Sequence, residues 1–223
     1  MLSAMANAVP LCTDIASQNI SGLSCAIGGL TFSNFQVIAA AGNASPEVDL
    51  SSAVDVSGAV TLAFNPHMSA TANGGFQDIY LYYQVTGGIN QIGLGVNGTN
   101  STVGETVCSS PIATTGPNAN MCSQAPLANF VAFGEAGPST VSASFASTQT
   151  AYVFKDINVS PNSPNAGGTL TSFTQSFNGG GSSGQGGGEG GGVGNTVPEP
   201  LSLILMGSGL VVIGLLRHKT QAG

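Results

Sequence analysis

Histidine moves protons best near neutrality, and His67, in Asn65-Pro66-His67-Met68, is the one histidine ahead of the last seven residues. No Gly-x-Ser-x-Gly elbow or cysteine-nucleophile motif accompanies it, so it reads as a turn residue after a strand rather than a general base. No second histidine stands at ligand spacing for a metal. Among the carboxylates, Asp78, Asp156, Glu47, Asp49 and Asp55 could pair as acid and base in a glycosidase-like site. With ten Asp and Glu in 223 residues some such pair is inevitable, so the signal is nearly empty. Asp49 and Asp55 could approach Ca²⁺ in a loop, yet the ordered Asp-x-Asp-x-Asp-Gly run is missing. The expectation is a protein without catalytic residues, metal or cofactor; a secreted hydrolase with an unfamiliar site is one alternative.

The tyrosines give the best hint of binding. Tyr80 and Tyr82 share one face of a strand whose other face carries Ile79, Leu81 and Tyr83. Two phenol rings at i, i+2 are a candidate ligand platform for sugar rings, so a carbohydrate-binding module is a second alternative. The blander reading is the outer half of a sheet packing on its partner.

The four cysteines fall in two local pairs, Cys12 with Cys25 and Cys108 with Cys122. Three connectivities are open, and local pairing is the economical expectation because each pair encloses a short polar loop. Each bridge would contribute about 3 kcal/mol by loop-closure reasoning. The spacings do not suit a zinc knuckle, and disulfides imply an oxidising compartment.

These residues need a scaffold, and the apolar pattern is one of strands. Ile79, Leu81, Tyr83 and Val85 alternate with Tyr80, Tyr82 and Gln84, and Ile92, Leu94 and Val96 alternate after Gly87-Gly88. That spacing predicts a two-residue hairpin. Further strands are expected at Leu30 to Ala39, Val54 to Phe64, Asn129 to Phe133, Thr140 to Phe145, Tyr152 to Val159 and Leu170 to Phe177. In Tyr152 to Val159, the residues Val153, Ile157 and Val159 share a face with Lys155. The expectation for residues 9–178 is an all-β, antiparallel β-sandwich ectodomain. The loop from Gly104 to Pro126 is long and polar, stapled by Cys108–Cys122.

Charge narrows the partners. Only 6% of the residues are charged, against about 25% in an ordinary soluble domain. Of the three basic residues, Lys155, Arg217 and Lys219, two lie in the last seven positions. Nucleic acid needs several phosphate-neutralising cations, which this chain cannot supply, and anionic lipid surfaces are excluded likewise.

The two ends read as addresses. Ala6-Asn7-Ala8 has the small-x-small pattern of a signal-peptidase site, so residues 1–8 are a candidate signal-peptide remnant without its basic and apolar regions. Residues 179–196 form a Gly-rich stretch, eleven glycines between Gly179 and Gly194, expected to be a disordered, flexible linker. Val197-Pro198-Glu199-Pro200 leads into sixteen uncharged, mostly apolar residues, 201–216, and Arg217-His218-Lys219 forms a basic stop. A helix over that span reaches about 24 Å, just under a hydrocarbon core of about 30 Å. A single C-terminal transmembrane helix is expected, its basic end cytoplasmic.

In that order of elements, residues 197–219 resemble the PEP-CTERM sorting signal of Gram-negative bacteria. The resemblance implies export by the general secretion machinery, then recognition of Pro198-Glu199-Pro200 by exosortase, a membrane peptidase. It further implies an inner-membrane-anchored precursor that ends at the cell surface or outside the cell, often beside exopolysaccharide. Arg-His-Lys departs from the family's usual run of arginines or lysines.

Overall fold

A strand sends successive side chains to opposite faces, so a period of two lets one face stay dry while the other meets solvent or a loop. The computed structural model describes residues 8–42, 46–72, 75–135, 139–161 and 166–179. Within them the chain is all-β. The strands are β1 (Gln18–Asn19), β2 (Cys25–Ile27), β3 (Leu30–Gly42), β4 (Asp49–Val56), β5 (Ala59–Asn65), β6 (Met68–Ala70), β7 (Gln77–Thr99), β8 (Ser101–Cys108), β9 (Ala128–Gly134), β10 (Ser139–Val159) and β11 (Gly168–Gly179). They join in one hydrogen-bonded sheet whose ladders are antiparallel.

Two long strands organise this sheet. The first part of β7, to Thr86, pairs with β3 on one side and with the Thr150–Val159 end of β10 on the other. Its last part, from Ile89, pairs with the start of β10 and with β11. The first half of the sheet therefore holds β2, β3, β8 and β9, and the second holds β1, β4, β5, β6 and β11. Both halves share β7 and β10. β7 bends at Gly87 (φ 129°) and Gly88 (φ 78°), and the β10 register shifts opposite, between Ser144 and Thr150. A Cβ at Gly87 would stand 2.4 Å from the Gly29 carbonyl oxygen, so the bend requires glycine.

That geometry corrects the expected hairpin at Gly87-Gly88. Left-handed glycines serve a strand corner as well as a turn, and here they carry one strand from one half-sheet into the other. For the same reason Thr140 to Phe145 and Tyr152 to Val159 belong to a single strand, β10. Val54 to Phe64 instead splits into β4 and β5 at Ser57-Gly58, where both residues have positive φ and the Gly58 N–H donates to Asp55 Oδ1 at 3.2 Å.

The inner faces of the halves meet in one core, giving a sandwich-like arrangement. Phe32 of β3 lies 5.2 Å from Phe177 of β11, ring centre to ring centre, and Phe64 stacks on Phe173 at 4.9 Å. The expected signal-peptide remnant (apart from Ala8), the glycine linker beyond Gly179 and the 197–219 tail with its helix lie outside the described residues. Among the described residues no helix is long and apolar enough to cross a membrane.

Candidate functional site

The chemistry suggested by Tyr80 and Tyr82 sits on the outer face of the first half-sheet. Tyr80 and Tyr82 point outward from β7, and their cross-strand partners on β10 are Asp156 and Phe154. Tyr80 meets Phe154 edge-on at 5.3 Å, and Tyr82 lies against it at 5.1 Å. The two tyrosine rings stand 6.5 Å apart at 85° to each other, a T-shaped pair rather than a flat shelf. Tyr80 is partly accessible while Tyr82 is buried.

What covers Tyr82 is the segment between β8 and β9. The Cys108–Cys122 disulfide, Cα–Cα 5.4 Å, pins this segment to the sheet. The Ala113 carbonyl accepts the Asn120 N–H at 2.9 Å, and the Ser110 and Ser123 hydroxyls meet at 2.7 Å. Asn120, held at φ 65°, accepts a hydrogen bond from the Tyr82 hydroxyl. Burial, then the neighbouring Tyr80 and Asp156, pushes that phenol up to about 12, so it stays a neutral donor. The second disulfide, Cys12–Cys25 with Cα–Cα 4.8 Å, ties the N-terminal segment to β2. Both local pairings expected from the sequence are present.

Between this covering segment and the sheet lies a cleft of about 220 Å³, lined by Asn34, Gln36, Gln84, Ile112, Tyr82 and Tyr152. Asn34 Nδ2 donates to Gln84 Oε1 at 3.1 Å, which fixes both amides at its floor. Uncharged amides beside phenol rings can hydrogen-bond hydroxyls and stack on the apolar faces of small polar rings. Farther along the same face Asp78 lies close to Asp156, the cross-strand partner of Tyr80. Burial first, then the neighbouring Asp156, pushes Asp78 up to about 7.

The other sequence candidates are engaged elsewhere. His67 Nε2 lies 2.8 Å from Asp49 Oδ2, half-exposed in the turn between β5 and β6, and the His67 N–H donates to Asn65 Oδ1. Asp55 caps the β4–β5 turn, so Asp49 and Asp55 do not converge. Among the described residues no group of three or more His, Cys, Asp or Glu side chains is placed to hold a metal ion. Gln36, Gln84 and Asn120 carry no signal of this cleft in the sequence, because their roles depend on strand pairing and loop closure. The sorting motif Val197, Pro198, Glu199 and Pro200 and the basic stop Arg217, His218 and Lys219 lie outside the described residues. The chain matches no protein-family model, no curated protein and no solved structure.

Proposed function

We propose that this protein is an exported, non-catalytic component of the bacterial cell surface or extracellular matrix, processed at its C-terminal tail by exosortase. The observation that carries the export reading is the pair of closed disulfides, Cys12–Cys25 and Cys108–Cys122. Such bridges persist in oxidising compartments and are rare in the cytoplasm. The tail adds the order of its elements: a proline-bracketed glutamate, a short apolar run holding Gly207, Gly209 and Gly214, and a basic stop. Interior glycines each cost a helix up to about 1 kcal/mol in water, which suits a transient stop better than a permanent anchor. A residue bracketed by prolines is disfavoured in helix and ladder, which suits Glu199 to a protease that needs an extended substrate. In a host with exosortase, intact-mass analysis should find mature protein lacking the residues beyond the Val197–Leu201 neighbourhood. Glu199→Ala should accumulate as an uncut, membrane-bound form. Wild-type chain still ending at Gly223 in such a host would replace the sorting signal with an ordinary tail anchor.

The amide- and tyrosine-lined cleft favours a second reading, carbohydrate binding. The net charge of −7 disfavours acidic glycans, so the fitting ligand is a neutral exopolysaccharide. Tyr152→Ala combined with Gln36→Ala should abolish retention on beads bearing neutral bacterial polysaccharide, with circular dichroism unchanged. Retention equal to wild type would sink this reading and leave the non-catalytic surface role standing.

A further inference from the structure

Three polar side chains meet in the interior of the folded sheet, each from a different strand. Lys155 of β10, Glu105 of β8 and Gln175 of β11 are all buried, at 0%, 1% and 0% exposure. Lys155 and Glu105 are direct cross-strand partners, with Nζ 2.6 Å from Oε2. Lys155 Nζ also donates to Gln175 Oε1, and Gln175 Nε2 donates to the Gly93 carbonyl at 2.9 Å. The Phe173 ring lies 5.5 Å from Nζ. Glu105 Oε1 and the Tyr83 hydroxyl are buried without hydrogen-bond partners.

As a mere ion pair this arrangement gains little, because desolvating two charges offsets most of their attraction. What the three groups do provide is an amine, a carboxamide and an acid in mutual contact, sealed from water. We propose that this cluster is a self-cross-linking site, in which Lys155 Nζ forms an amide bond to Gln175 Cδ while Glu105 transfers the protons. The amine lone pair attacks Cδ and Glu105 protonates the amide as the tetrahedral intermediate forms. The Cδ–Nε2 bond then breaks, and Nε2 leaves as ammonia carrying the proton that Nζ gives up through Glu105. A primary amine and a primary amide become a secondary amide and ammonia, with no change of oxidation state and no co-reactant.

The surroundings favour each step. Burial pushes Glu105 up against the pull of Lys155 and Gln175, and pushes Lys155 down against the pull of Glu105. Both shifts move the pair toward a neutral amine beside a neutral acid, the forms that attack and proton transfer require. The dry, aromatic-walled site excludes water, the competing nucleophile. Gly93 holds the amide nitrogen, so Cδ is fixed relative to Nζ. The product would join β10 of the first half-sheet to β11 of the second through the core.

The full chain tests this after disulfide reduction and mapping of its two ends. Its intact mass should fall short of the sequence by one ammonia, and fragmentation should find one peptide carrying Lys155 joined to Gln175. Lys155 is the single Lys or Arg before Arg217, so trypsin has one site within the domain. Amidation of Nζ should block that cut in the denatured chain. Glu105→Gln should restore the full sequence mass and the tryptic cut; if that variant fails to fold, the wild-type mass still decides. Wild-type protein at full mass and cut after Lys155 would reduce the cluster to an ion pair and overturn the proposal. Loss of water in place of ammonia would put the bond on Glu105 and overturn the assignment to Gln175.

Discussion

On the first half-sheet the outward positions of β7 and β10 carry Asp78, Tyr80 and Tyr82 beside Tyr152, Phe154 and Asp156. On the second half the same two strands turn Gly93 and Gly95 outward beside Thr140, Ser142 and Ser144, and β11 adds Thr174 and Ser176. The backbone is continuous between the faces, yet the chemistry changes at the Gly87 bend. A Cβ at Gly93 would stand 2.5 Å from Ser176 Oγ, and one at Gly95 2.4 Å from Thr174 Oγ1, so neighbouring hydroxyls fill the space that side chains would take. One face collects rings, with Tyr82 beneath a disulfide-pinned covering, and carboxylates farther along; the other is low, hydroxylated and, among the described residues, bare of rings. Shared strands thus set common packing inside without dictating a common surface outside.

A change in the core that both halves share should disturb them together. Phe177 is fully buried and meets Phe32 across the core. Phe177→Ala should cost about 3–5 kcal/mol in urea unfolding, and both halves should unfold in one transition. Thr174→Ala, three residues away on the hydroxylated outer face, should stay within about 0.5 kcal/mol. Two separate transitions for Phe177→Ala would mean that the halves are independent.

The aromatic face should show a smaller, pH-dependent effect. Asp78 carries a folded-state pKa raised by burial and by Asp156. A carboxyl raised in this way favours the fold at pH below its ordinary value, and that contribution is lost as pH rises through about 7. Asp78→Asn should therefore melt higher than wild type at pH 8, with the gap closing toward pH 4. A gap independent of pH would mean that the fold does not raise the Asp78 carboxyl.

Much of this was legible in the residues. The alternation of Ile79, Leu81, Tyr83 and Val85 reports the inner face of β7, and Lys155 falls in register with Val153, Ile157 and Val159, all of them buried. β8 was hidden because two of its inward positions are polar: Ser101 and Glu105 alternate with Val103 and Val107, and all four are buried. Read as a pattern, Ser-Thr-Val-Gly-Glu-Thr-Val looks like the start of a polar loop. Gln175 between Phe173 and Phe177 breaks the inner stripe of β11 in the same way. One sequence cannot show that these interruptions answer one another, since Lys155 and Glu105 are 50 positions apart. Nor can it show that Asn120, 38 positions from Tyr82, comes down over that ring.

The place of β11 in the sheet has a mechanical consequence. The strand is an interior one: β7 bonds it along one edge, and β5 and β6 bond it along the other. A force applied at Gly179 along the axis of β11 loads both of its edges together. Antiparallel ladders loaded along their length resist in shear, with many backbone hydrogen bonds sharing the force, whereas an edge strand peeled sideways gives way one bond at a time. A pull at this end must therefore slide β11 past two neighbours at once.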